Sequence, residues 1–375
     1  MDIYILNKSL EKIGIIDSYN SRIWTKRYYK AGDFELFLPA TTENFELLQE
    51  DFYLQRDDDD TAMIIEKIQL QTDAEQGNHI IVSGRSLESI LARRVIWGQT
   101  ILNDTVENAI RRVITENCIS PADTARTISG LELAAPLGLA ATIQQQTRGD
   151  NLAEWLETVC RTYGYGWKIT INNGRFVFSL FEGVDRTYGN AAGNPFVVFS
   201  PNFDNLVNSN YLKDKQNYKN VALVLGEGEG NARASAAVGT AAGLDRYEIY
   251  VDARDISSNN GEISAAEYGN LLTERGKQRL AEQKTTTAFD GEVDAAGVYV
   301  YKKDFDIGDI VQIENEYGIT AESRIVEIIE SEDESGWRTV PILEEWQATE
   351  DGDATYLTTE NGEILATENG DLLEV

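Results

Sequence analysis

The chain has 375 residues, of which 42% are hydrophobic, and a formal net charge of -30. That length predicts roughly two or three domains with room for sizeable cores, and the absence of any run of about 18 apolar residues excludes a membrane-spanning helix. The charge argues against stable binding of nucleic acid or of anionic lipid, because both need clustered Lys and Arg; it reads first as plain solubility, and alternatively as a surface that must not hold nucleic acid passing close by.

The opening Met1-Asp2-Ile3-Tyr4 has neither a basic stretch nor an apolar h-region, so no Sec-type signal is expected. Residues 1 to 40 read as strands: Phe34, Leu36 and Leu38 alternate with Glu35 and Phe37, and Pro39 stops the run. A short helix is predicted from Thr42 to Gln49. Phe52 to Gln55 and Met63 to Leu70 form a hairpin around Asp57-Asp58-Asp59-Asp60, and Asn78 to Ser83 form another strand. Ser86 is placed to cap a helix through Leu87, Ile90 and Leu91 to Arg94.

The character changes after residue 100. Asp104-Thr105-Val106-Glu107 reads as a capping box, with Val106, Ala109, Ile110, Val113 and Ile114 at helical spacing behind it. Ser120 to Thr147 reads as loop with one strand. A helix follows Asp150, with Leu152, Trp155, Leu156, Val159 and Cys160 in one apolar stripe. Trp167 to Ile171 and Arg175 to Phe181 make a hairpin around Asn172-Asn173-Gly174.

Strands return from 200 to 346. Val221, Leu223 and Leu225 alternate, the Gly226-Glu227-Gly228-Glu229-Gly230 run ends that strand, and residues 231 to 243 read as loop. Ser264-Ala265-Ala266-Glu267 is a capping box for a helix of about five turns ending near Gln283. Phe289, Val293, Tyr299 to Tyr301, Ile310 to Ile313, Arg324 to Ile329 and Trp337 to Leu343 are strand segments. In the last 30 residues, Thr-Glu-Asp-Gly or Thr-Glu-Asn-Gly turns recur and Leu357, Leu365 and Leu373 stand eight apart. Such arms cannot bury a core alone; they need identical neighbours or a partner, or remain an acidic tail. The expected organisation is a strand-rich α+β chain: domains at 1–100, 101–200 and 201–346, and a turn-repeat arm at 347–375.

No residue set points to chemistry. His79, the only histidine, falls within a strand, and neither Cys118 nor Cys160 lies in a nucleophile context. Both cysteines read as small core hydrophobes, with no disulfide framework. Two Cys and one His leave zinc only mixed carboxylate ligation. Asp57 to Asp60 lack the spacing and turn glycine of a Ca²⁺ loop and read as a solvated hairpin tip. Asp304, Asp306 and Asp309 read as turn residues beside Gly308. Gly226-x-Gly-x-Gly lacks a following Lys-Ser/Thr, and Glu227 and Glu229 would repel an anion. The 17 Tyr and 6 Trp could offer a sugar platform, but most sit in strand or helix patterns where packing is their use. No catalytic, cofactor-binding or metal-binding residue is therefore assigned, and no cofactor is expected.

Several segments together resemble one family. They are Gly14-Ile15-Ile16-Asp17, Trp24-Thr25-Lys26-Arg27-Tyr28 and Gly32-Asp33-Phe34-Glu35-Leu36. Gly84-Arg85-Ser86-Leu87 follows, with Leu91 and Arg93-Arg94-Val95-Ile96, then Tyr218-Lys219-Asn220-Val221 and Gly226-Glu227-Gly228. Last come Asp304-Phe305-Asp306-Ile307-Gly308-Asp309 and Arg324-Ile325-Val326-Glu327. Over residues 1 to 346 the chain resembles Gp37-like tail hub proteins from siphophages of Gram-positive hosts, which also form the N-terminal part of tail-associated lysins.

The resemblance implies two similar, tube-type, barrel-like hub domains flanking the middle one. It implies a homotrimeric, non-enzymatic baseplate hub that joins a sixfold tail tube to a threefold tip and gates the DNA channel. Implied partners are distal tail and tail tube proteins, the C-terminus of the tape-measure protein, tip or receptor-binding proteins through the 347–375 arm, and DNA only in transit. Its implied place is the virion tail tip, after synthesis in the host cytoplasm, without membrane insertion. With the sequence stopping near residue 375, no long C-terminal peptidase or glycosidase region is expected, which weakens an enzymatic reading. The alternatives are a tail-associated cell-wall hydrolase, which needs two convergent carboxylates in a cleft, and a carbohydrate-binding tip protein.

Overall fold

A computed structural model describes residues 2–345, apart from 74–76, 284–285, 293–297, 316 and 318–319. The expected arm at 347–375 and Val293 lie outside the described residues.

Period-two burial builds the first region. Phe34, Leu36 and Leu38 of strand Asp33–Pro39 are buried and Glu35 is exposed. The same alternation along Ser21–Arg27 buries Arg22 and Trp24 completely and leaves Ile23 42% exposed. One face of these strands therefore closes over a core with Ile3, Ile5, Leu54, Met63, Ile80 and Val82. Helix α1 (Thr42–Leu47) caps on Thr41, whose hydroxyl accepts the Asn44 N–H.

These strands do not stop at the first region. Strand Thr320–Asp333 pairs antiparallel with Ser21–Arg27, with Trp24 opposite Glu330 and Arg27 opposite Glu327. The result is a 13-stranded sheet. It runs from Val207–Asp214 through Thr286–Glu292, Gly336–Glu345 and Thr320–Asp333 into Ser21–Arg27. From there it passes through Asp33–Pro39, Gly77–Ser86, Ala62–Asp73, Tyr53–Arg56 and Ile3–Leu6 to Lys12–Ile16. Ile310–Glu314 pairs on the side, and Val198–Phe199 pairs with it in parallel. The architecture is α+β and strand-rich, built on one large sheet.

Helix α2 (Val106–Ile114) and helix α3 (Leu152–Tyr163) supply the second core with Leu131, Trp167, Ile169 and Phe178. Asn151 caps α3, and Gly164 ends it at φ 75, a left-handed position that suits glycine. The hairpin of Gly166–Asn172 and Arg175–Phe181 turns through Asn173 and Gly174, both at positive φ. A small unit follows. Val221–Leu225 lies between Ser235–Val238 and Glu248–Asp252, beneath helix α4 (Ala265–Ala281). Both bonds of the Ser264/Glu267 capping box form.

Several expected elements differ. Ser86 caps no helix: its hydroxyl accepts the Gly32 N–H at 2.7 Å, and Leu87–Arg93 winds as 3₁₀ turns. Thr105, not Asp104, is the cap of α2, because Glu107 turns away to accept N–H groups of Leu137, Gly138 and Leu139. The 120–147 stretch holds two strands, Leu131–Leu133 and Thr142–Thr147, and Ser235–Val238 occupies the expected loop at 231–243. Tyr299 to Tyr301 form no strand; a turn with Lys302 at φ 66 returns the Lys302 N–H to the Phe305 carbonyl.

Candidate functional site

The three regions meet at Tyr28, which follows strand Ser21–Arg27. Its ring is fully buried, edge-on to Phe181 with centroids 5.1 Å apart. Its hydroxyl donates to the Gly164 carbonyl at 2.9 Å and accepts the Gly183 N–H at 3.3 Å, with the Arg324 guanidinium at 3.4 Å. A Cβ on Gly166 or on Gly308 would lie 2.3 Å from that ring, so two glycines from different regions are needed for the close approach. Burial pushes the Tyr28 phenol well above its ordinary value, against the neighbouring Arg324 charge.

Beside this pin lies a cavity of about 640 Å³, lined among others by Lys26, Asp59, Glu88, Lys168, Lys302 and Asp309. Of the expected solvated tip at Asp57 to Asp60, Asp57, Asp58 and Asp60 are exposed, and only Asp59 departs from it. The Asp59 side chain is 1% exposed, paired with Lys26 and, at 3.1 Å, with Lys302. It also accepts the Thr61 N–H and hydroxyl. Burial opposes the charge, but Lys26 and Lys302 outweigh it and hold the carboxyl well below the usual range. Asp58 receives Arg56 through two nitrogens, while Arg56 reaches Glu330 with both side chains buried. Asp60 pairs with Lys168 at 2.6 Å. The tip is thus an ionic clasp between the first strands, the 166–181 hairpin and the 302 turn. Glu88, buried at the cavity wall, accepts the Ile169 N–H at 2.9 Å; burial lifts its carboxyl above the ordinary value.

Of the other singled-out residues, Asp306 and Asp309 also line the cavity, and the rest lie apart or serve packing. Asp304 and Asp306 accept the N–H groups of Val300 and Ile307 within their turn. Asp309 does more, taking the Val184 N–H at 2.7 Å and Arg186 at 2.6 Å. His79 stacks on Phe37 with centroids 4.4 Å apart. Burial pushes the Cys118 thiol up to about 12, despite Arg94 and Arg126, and the Cys160 thiol higher still. Neither thiol is a ready nucleophile. In the glycine-rich loop the Glu227 N–H is taken by the Tyr268 hydroxyl at 2.8 Å. Among the described residues no cluster of three or more His, Cys, Asp or Glu side chains is arranged for a metal ion. Sequence reading singled out neither Tyr28 nor Lys302 as a joint; nothing local marks a residue whose partners lie more than a hundred positions away.

The family described as Siphovirus ReqiPepy6 Gp37-like protein matches residues 2–343. No curated protein matches the chain. Among solved structures, the prophage MuSo2 43 kDa tail protein from Shewanella oneidensis is similar at 15% identity and a TM-score of 0.56, covering 92% of this chain and 98% of that one. Prophage tail protein gp18 from Listeria monocytogenes EGD-e gives 14% and 0.56, with 93% and 96% covered. The tail protein from Neisseria meningitidis MC58 gives 13% and 0.55, with 92% and 96% covered. At these identities the likeness is one of fold.

Proposed function

The chain belongs to the siphovirus ReqiPepy6 Gp37-like family of phage tail proteins, and from that premise we propose that it is the hub of a tail tip, three copies closing into a ring around the DNA path. The observation that carries this reading is the long sheet with two outer edges. Among the described residues, Lys12–Ile16 and Val207–Asp214 each pair on one side only. The first edge carries Ile13 and Ile15, 40% and 50% exposed, an apolar edge of the kind that proteins normally blunt or cover. A head-to-tail contact between unlike edges closes into a ring when the rotation allows it.

In this reading the two strand-rich regions of each chain present six similar units to a sixfold tube, and the threefold order is passed to the tip. Distal tail and tube proteins stack on one side, and the tape-measure protein's C-terminus meets the lumen. The 347–375 arm receives tip or receptor-binding proteins. The work is mechanical: adapting symmetry and gating a channel, with the Tyr28 pin and the Asp59 clasp making each chain rigid enough to hold a lumen open. Ile15→Lys tests the edge. Light scattering should fall from three chains to one while circular dichroism stays unchanged; a folded variant that keeps the threefold mass counts against this edge.

A further inference from the structure

The face of the sheet opposite the first core carries a row of alternating charges. Glu327, Arg27, Asp33, Arg85 and Glu66 stand on five adjacent strands. Register places Arg27 opposite Glu327 and Asp33 opposite Arg85. Arg27 reaches Glu327 and Asp33, each at 2.6 Å. Arg85 forks onto both oxygens of Glu66, at 2.7 and 2.8 Å. A bulge at each end of the row sets this up. One falls between Ile65 and Lys67 and makes Glu66 the extra residue; the other falls between Ile325 and Glu327. Bulges re-aim side chains in this way.

Both arginines remain partly exposed, at 21% and 50% of their side chains, so the row is a surface that a passing polymer can meet. Net charge alone does not decide whether such a row would hold a phosphate. At 0.15 M salt the screening length is about 8 Å, so distant carboxylates do little and only the contact partners decide whether a guanidinium is open to a phosphate. We propose that this row masks Arg27 and Arg85 so that the sheet face passes a nucleic-acid duplex without binding it. The inference rests on the tail-hub reading for the identity of the polymer. It also accounts for arginine at these positions. A guanidinium offers several donors in a fixed plane and can serve two carboxylates from neighbouring strands at once.

The test measures binding of labelled duplex DNA to the purified chain as a function of salt. The variants are Glu66→Gln alone, which opens only Arg85, and Asp33→Asn with Glu66→Gln and Glu327→Gln, which opens both arginines. A third variant adds Arg27→Gln and Arg85→Gln to the triple one. Lys67, exposed beside the row, is common to all and cancels in the comparison. Wild type should show no resolvable binding. The slope of log affinity against log salt should become about -1 for the single and about -2 for the triple variant per chain engaged, and return to the wild-type baseline in the third. Wild-type binding equal to the variants', a folded single or triple variant that stays inert, or retention by the third variant would each overturn the masking. None of these outcomes depends on whether a ring forms, which the hub reading stands or falls on separately.

Discussion

Replacing Tyr28 perturbs the joint on which all three regions converge. Tyr28→Phe keeps the ring but removes the donor to the Gly164 carbonyl and the acceptor for the Gly183 N–H. Leaving such buried groups unpaired costs about 1–3 kcal/mol. Tyr28→Ala also removes a fully buried ring between Gly166 and Gly308. By comparison with large aromatic truncations it should cost about 3–5 kcal/mol in packing, besides the polar loss. Gly308→Ala attacks the same joint from the other side. Its Cβ would fall 2.3 Å from the Tyr28 ring at a φ of 91, so crowding and backbone strain add to about 2 kcal/mol or more. Hydrogen exchange followed peptide by peptide is the suitable assay, because a chain of this size need not unfold in one step. Tyr28→Ala should lower protection at 164–183 and 308–326 together with 21–39. A loss confined to 21–39, or a cost below about 1 kcal/mol for Tyr28→Ala, would refute the view that the regions are pinned at one residue.

Asp59→Asn should destabilise the chain by about 3 kcal/mol at neutral pH, since Lys26 and Lys302 lose a buried partner. Because the folded carboxyl titrates below its unfolded value of about 3.9, its contribution is full above that pH and fades only as pH falls toward the folded value; denaturant midpoints measured from pH 6 to pH 2 should show this fall in wild type and not in the variant. Glu274 behaves oppositely. It accepts from Tyr163 and Gln278 at the seam between α3 and α4, with Lys277 as its charged neighbour, and burial lifts its carboxyl above the ordinary value. Its contribution is thus full below the unfolded value of about 4.3 and is lost as pH rises through the folded one. Glu274→Gln keeps an acceptor for Tyr163 and should raise the melting temperature at pH 8 while changing little at pH 4; a lower melting temperature at pH 8 would contradict this.

What could be read from the sequence was set by how far each residue's partner lies. The Ser264/Glu267 box closes within four residues, and the turn at Asn173-Gly174 needs only its own backbone, so both were legible. Alternation at Phe34, Leu36 and Leu38 marks a half-buried strand whatever lies beside it. Ser86 and Glu107 carry cap-like local signals, yet Gly32 and the 137–139 loop claim their oxygens in the fold. Asp57 to Asp60 have the composition of a solvated tip. Only the approach of Lys26 from strand Ser21–Arg27 and the return of the chain at Lys302, more than two hundred residues later, turn Asp59 into a buried, paired ion. The joint at Tyr28 is of the same kind: its hydroxyl partners at Gly164, Gly183 and Arg324 come together through topology alone. The bulges that aim Glu66 and Glu327 leave no local trace either, since an extra strand residue shows only against its partner strand.

The central claim is the closed ring, and class averages of the purified chain in negative stain, with its mass measured in the same solution, test it most directly. The account predicts threefold rings with a lumen wide enough for duplex DNA and a mass about three times the 41.8 kDa of one chain. Monomers without a lumen, at concentrations where a sheet with two open edges should associate, would contradict it.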